Sequence, residues 1–365
     1  MTAPASTAQP ETVSSVDWSA ATRRARALVR PGPRIERGEA SLLVESLRSA
    51  GARAPELVGE VTGLTEPASR IAAEPVYVVD RGRWIGANIA TFAHLTDGLL
   101  PEAPNRASAR LAGEELGVVL PLLASRVLGQ YDPFAGAAGG AHGGRGSGSG
   151  GRLMLVAPNV LHVQRELRLD PGDFHLWVAL HEQTHALQFA AAPWLPEHLT
   201  GLMRELMGSM LAQESAADRL RDFISALPRA IGSDSTEPAG ALLGSVMTES
   251  EHEMMGRTVA VMSLLEGHAD VVMDAVGPQV VPTVSRIRAA FDKRRNSPRW
   301  AEAILRRLMG MDAKLAQYRN GAAFVRAVVD KVGHEGLNAV WTDAANLPAS
   351  DEISDPDAWL ARVHG

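Results

Sequence analysis

At 365 residues the chain has room for one large domain or two ordinary ones, and its 45% hydrophobic and 21% charged residues are typical of a soluble globular protein with a core to bury. A net charge of −6 gives no electrostatic reason to expect nucleic acid or an anionic membrane as a partner. There is no cysteine, which excludes disulfides and thiolate ligands and leaves any transition metal to His, Asp or Glu.

Residues 1–15 are rich in Thr, Ala, Ser and Pro and read as a disordered tail ahead of a single domain over 16–365. The start carries no basic stretch followed by an apolar run, as a secretory signal would, and no segment is apolar for long enough to span a bilayer. With the lack of cysteine, this gives a cytoplasmic expectation. From Val16 to Val61 apolar residues recur at helical spacing, and Pro31, Gly32 and Pro33 divide the stretch into at least two helices. Arg23, Arg24, Arg26 and Arg30 read as a solvated helix face. Pro75 to Asp80 is a β-branched run that predicts a strand. Leu111 to Leu128 predicts a helix with a break or kink at Pro121.

Residues 136–151 are nearly all Gly, Ala, Ser, His and Arg and predict a flexible loop, because burial cannot repay the ordering of so many glycines. His142 within it reads as solvated. Arg152 to Pro158 predicts a second strand, which pairs with a strand on the far side of the loop. Pro171 to Gly333 is dominated by helical patterns, and the last thirty or so residues are mixed, with a polar end. The expected fold is mainly α, an α+β domain with a small sheet.

His181-Glu182-Gln183-Thr184-His185 is the motif that carries chemistry. Asp170 is a suitable N-cap, Pro171 stands at the first helical position, and Pro193 and Pro196 mark the far end. Phe174, Trp177, Val178, His181, His185 and Gln188 then share one helix face. Histidines one turn apart bring two imidazoles to one ion. Glu182, turned about 100° away, is placed to act on a water beside the metal rather than to bind it. Zinc suits such a donor set, one ion per chain.

A catalytic zinc needs a third protein ligand and an open position. Two stretches of the form E-x-x-x-D offer one. Glu266 to Asp270 lies in a segment apolar nearly all round (Val259, Val261, Met262, Leu264, Leu265, Val271, Val272, Met273), where a buried Glu needs a partner such as a metal. Asp270, one turn on, can accept the free N–H of a ligand histidine. Glu214 to Asp218 is crowded by Arg219, Arg221 and Asp222 and reads as a solvated ion-pair cluster. Glu266 is therefore the expected third ligand; His252 and His268 read as ordinary surface or core histidines.

The H-E-x-x-H and E-x-x-x-D pair resembles the gluzincin arrangement of thermolysin-like peptidases. That resemblance implies Glu266 as zinc ligand and Asp270 as histidine support, with helices inserted in the long gap after His185. More broadly, the chain is similar to an actinobacterial family of zincin-like hydrolases, in the branch named for association with deazaflavin-coenzyme biosynthesis. The matching stretches are Val16-Asp17-Trp18, Val79-Asp80-Arg81 with Trp84-Ile85, His181 to Phe189, Leu264 to Asp274, Gln317-Tyr318-Arg319 and the region of Trp341. No flavin or nucleotide fingerprint accompanies them. The resemblance implies a zincin-like fold, a substrate held against an edge strand, for which Arg152 to Pro158 is the candidate, and an oxyanion stabiliser such as Tyr318. The expected activity is zinc-dependent hydrolysis of a peptide or small amide, with Glu182 activating the water. The competing expectation is an inactive zinc-binding scaffold or regulatory interaction protein.

Overall fold

The computed structural model describes residues 14–138, 150–211, 248–295 and 321–365. Glu214, Asp218, His142 and Tyr318 lie outside them, as does most of the Gly-rich segment. The structure is mainly helical with a three-stranded sheet, as the sequence pattern led us to expect.

The first two helices are α1 (Trp18–Leu28) and α2 (Arg37–Thr62), separated at the Pro31-Gly32-Pro33 stretch. Asp17 caps α1 by accepting from Ala20 N, and Arg23, Arg24, Arg26 and Arg30 are exposed. After α3 (Thr65–Ala72), β1 (Val76–Val79) falls inside the predicted strand. Next come α4 (Arg81–Thr96), α5 (Arg106–Ala124) and β2 (Gly129–Asp132). Of the break or kink expected at Pro121, the break is absent: α5 continues past it. β3 (Arg152–Val156) pairs in parallel with β1 and antiparallel with β2, giving the order β1-β3-β2. The expected pairing across the Gly-rich stretch is thus present. A hydrogen bond from Gly136 N to Gly150 O at 2.6 Å brings the two sides of that stretch together.

β3 is central, which corrects its assignment as the edge strand. Both its edges are already paired, so it has no free backbone groups for a substrate. Its side chains are buried on both faces, as a continuous apolar run requires. Leu153 and Leu155 join a core with α2, α3 and the helices that follow, while Met154 and Val156 face α1, α4 and α5.

Then follow α6 (Ala157–Leu167), α7 (Pro171–Ala191), α8 (Leu195–Leu211), α9 (Glu249–Val276) and α10 (Val284–Arg295). α11 (Gly321–Leu337), two short 3-10 turns and α12 (Pro356–His364) complete the chain. The chain end is more than a polar tail: the Trp359 ring of α12 is fully buried and its Nε1 donates to Asn346 O at 2.8 Å. Among the described residues, no helix is long and apolar enough to cross a membrane.

α7 lies between two hydrophobic clusters. Phe174 to Ala190 contribute to one with α2, α3 and β3, while Phe189 and Ala192 belong to another with α9, α11 and Trp359. α7 is therefore buried on nearly every side rather than along a single stripe. His175 ties it to its neighbours: Nδ1 lies 2.7 Å from Ser46 Oγ and Nε2 lies 3.1 Å from Gln164 Oε1. Burial pushes His175 down to about 4, against the opposing pull of Asp170. Its unfolded form takes up a proton near pH 6.5 and its folded form only near 4, so stability present at neutral pH is lost as pH falls through that window. Urea unfolding should show a loss of about 2 kcal/mol from this residue between pH 7 and pH 5. His175→Gln should lose correspondingly less over the same interval; an unchanged slope would mean that His175 is not the group responsible.

Candidate metal centre

α7 starts where its sequence says it should. Asp170 accepts from Asp173 N at 3.0 Å and Pro171 follows at the first helical position, where no N–H is needed. This register places His181 and His185 one turn apart, with Nε2 atoms 3.2 Å from each other. α9 begins with a capping box: Thr248 and Glu251 satisfy each other's backbone N–H groups. It crosses α7 so that Glu266 faces both histidines, its two oxygens 3.6 Å from His181 Nε2 and 3.6 Å from His185 Nε2. Gly267 permits a close crossing on the other side, because a Cβ there would stand 2.1 Å from the Gly321 carbonyl carbon of α11.

Donor atoms from these three residues all lie within 4.8 Å of one another. Zinc bonds of about 2.0–2.2 Å in a tetrahedral site put neighbouring donors about 3.3–3.6 Å apart. The separation of the two histidine nitrogens, and the approach of one Glu266 oxygen to each of them, are of that order. The donor chemistry fits as well. Burial and His185 push His181 down to about 4, outweighing the upward pull of Glu266 and Asp270, so the ring is neutral and has a lone pair to give.

The burial of Glu266 differs from expectation. Its side chain is 58% exposed, and Met262, one turn earlier, is exposed too. α9 is therefore not apolar all round; its fourfold spacing turns Met262 and Glu266 to solvent. The cluster opens on that side, as a catalytic rather than a purely structural zinc site requires.

Glu182 is buried beside β2 and accepts a hydrogen bond from the Tyr131 backbone N–H. Burial, and then Glu266, push its carboxyl well above the ordinary range, with the Tyr131 bond acting the other way. Gly129 makes this seat possible, since a Cβ there would lie 2.5 Å from Glu182 Cγ. Gly129→Ala should lower stability by about 1–3 kcal/mol through overpacking. Gly38→Ala, where a Cβ meets nothing within 4 Å, should leave the denaturation midpoint unchanged or raise it. Equal midpoints for the two variants would mean that Glu182 yields easily.

Around the histidines, His185 Nδ1 lies 2.9 Å from Gln188 Oε1 and His181 Nδ1 lies 3.3 Å from Met273 Sδ. Asp270 accepts from Arg288 Nη1 at 3.1 Å and acts on His181 through its charge. His268 is buried and contacts Gln188, while His252 Nδ1 contacts the Thr248 carbonyl at the start of α9. Sequence reasoning missed the parts played by β2 and Gln188. Gly-Gln-Tyr-Asp has little strand character, so β2 gave no signal. Gln188 did give one, since it stands three residues after His185 on the same face.

The model of the zincin-like metallopeptidase family matches residues 16–360. The chain belongs to this family. Membership in the zincin-like metallopeptidases implies a zinc-type metal, consistent with the cluster just described. A protein of Chloroflexus aurantiacus, described as a candidate hydrolase with a novel fold, has a similar crystal structure (TM-score 0.65, 31% identity). The match covers 96% of this chain and 99% of that one. No curated protein matches the chain. The family and this neighbour together support a metallohydrolase in general.

Proposed function

We propose that the protein is a zinc-dependent peptidase or amidase, a single domain over 16–365 that binds one zinc through His181, His185 and Glu266. The observation that carries this proposal is the convergence of His181, His185 and the Glu266 carboxylate, with donor atoms all within 4.8 Å of one another, on an exposed side of the molecule. Zinc held there would acidify a water and polarise a substrate carbonyl. Glu182 takes a proton from the attacking water and returns it to the leaving nitrogen. The Tyr131 N–H holds the Glu182 carboxylate in place for that exchange. Asp270 supports His181 by its charge and is itself held by Arg288. β2, at the sheet edge next to Glu182, is the strand along which an extended substrate would lie.

We further propose, from their likeness in the stretches quoted above, that within the family the chain belongs to the actinobacterial branch named for the deazaflavin coenzyme; the coenzyme takes no part in the proposed reaction. Metal analysis of purified protein, repeated after zinc reconstitution, should give about one zinc per chain. Absence of zinc under both conditions would refute the proposal. A hydroxamate, which chelates zinc only at an open position, should bind the zinc-loaded protein and not the metal-free one; failure to bind would favour the inactive scaffold.

A further inference from the structure

Gln188 lies at a junction. Its Nε2 donates to the Leu265 backbone carbonyl at 2.8 Å. A carbonyl only accepts, so this bond fixes which end of the Gln188 amide is nitrogen. The same nitrogen lies 3.1 Å from His268 Nδ1, which must therefore offer a lone pair. The amide oxygen lies 2.9 Å from His185 Nδ1, which must therefore carry its proton. A neutral His185 protonated at Nδ1 has its lone pair on Nε2, the atom that faces His181 and Glu266.

The Leu265 carbonyl and the His268 lone pair thus hold the amide nitrogen together, and the oxygen that this leaves sets the His185 tautomer. His268 is the inner end of the arrangement: it is fully buried, its ring centroid is 5.2 Å from that of Trp341 and 6.5 Å from that of His334. Its Nε2 has no hydrogen-bond partner among the described residues. A side chain kept only to fill the core would not need a ring nitrogen with nothing to bond. The nitrogen that does have a partner is the one that faces Gln188.

We propose that Gln188 and His268 are positioning residues that act through a hydrogen-bonded relay, Leu265–Gln188–His268, to hold His185 in the Nδ1–H tautomer and aim its Nε2 at the metal. This rests on the zinc site proposed above and adds two residues that do not touch the metal. The second ligand histidine, not only the first, is thereby oriented, and from α9 rather than from its own helix alone. Because Leu265 directly precedes Glu266, the same contact also fixes how far apart the ligands of the two helices stand.

The test has two independent readouts. Nitrogen-15 NMR of the histidines in metal-free wild-type protein should show His185 protonated at Nδ1 and His268 at Nε2. Zinc affinity, measured by chelator competition, should fall about tenfold to a hundredfold in Gln188→Leu and in His268→Leu. His268→Asn places an amide oxygen near the position of Nδ1 and should restore affinity to within about threefold of wild type, if the accepting atom is what matters. The relay is overturned if His268 carries its proton on Nδ1, if His268→Leu binds zinc as tightly as wild type, or if His268→Asn is as weak as His268→Leu. Should His268→Leu fail to fold, Gln188→Leu and the wild-type tautomers decide the matter. A wild-type protein that takes up no zinc would refute the metal site instead, and the tautomers would still decide whether the relay exists.

Discussion

His185→Ala should lose its zinc while keeping its fold. The residue contributes one of three donor groups, and its Nε2 is within 3.6 Å of both others. Without it, His181 and Glu266 are left as a two-point site, and the structural reason for tight binding disappears. The two hydrophobic clusters that hold α7 are built from other side chains of the helix, so the fold should survive the truncation. Elemental analysis should fall from about one zinc per chain to background, with the circular dichroism spectrum unchanged. Full zinc retention in the variant would place the metal elsewhere.

Glu182→Gln should show the opposite pattern, with zinc retained and hydrolysis lost. The amide has nearly the same shape, so it fits against Gly129 and can still accept from the Tyr131 N–H. It cannot take a proton from water. Removing a general base costs typically about 10²–10⁴-fold in rate. On any peptide or amide that the wild type cleaves, kcat should fall by about that factor with zinc content unchanged. An unchanged kcat would remove Glu182 from the reaction and bring forward the scaffold alternative. Together the two variants separate binding from chemistry, since one removes a donor to the metal and the other a proton acceptor beside it.

The parts of this site that could be read from sequence obeyed local rules. Asp170 and Pro171 fix the start of α7, and helical spacing fixes the relation of His181 to His185. Glu266 was legible because a carboxylate among so many apolar neighbours demanded a reason, although the structure shows it turned outward. The remainder depended on contacts distant in sequence. That Glu182 would meet the backbone of Tyr131, or that Gln188 would reach Leu265, follows from how α7 lies against β2 and α9. Alternation and helical periodicity encode which face of an element is buried, not which neighbour it meets. β3 shows the same limit: its apolar run predicts a strand, but neither its central place nor that a strand as polar as Gly-Gln-Tyr-Asp would lie outside it.

The position of α7 between two hydrophobic clusters has a consequence for how the site can move. Backbone amides exposed only when both clusters come apart exchange with solvent only through global opening. The amide hydrogens from Leu176 to Leu187 should accordingly be among the slowest to exchange for deuterium in the whole chain, whether or not metal is bound. The motif would then sit among the most persistent of the described residues, with the solvent-facing side of α9, where Met262 and Glu266 stand, as the part of the site free to adjust.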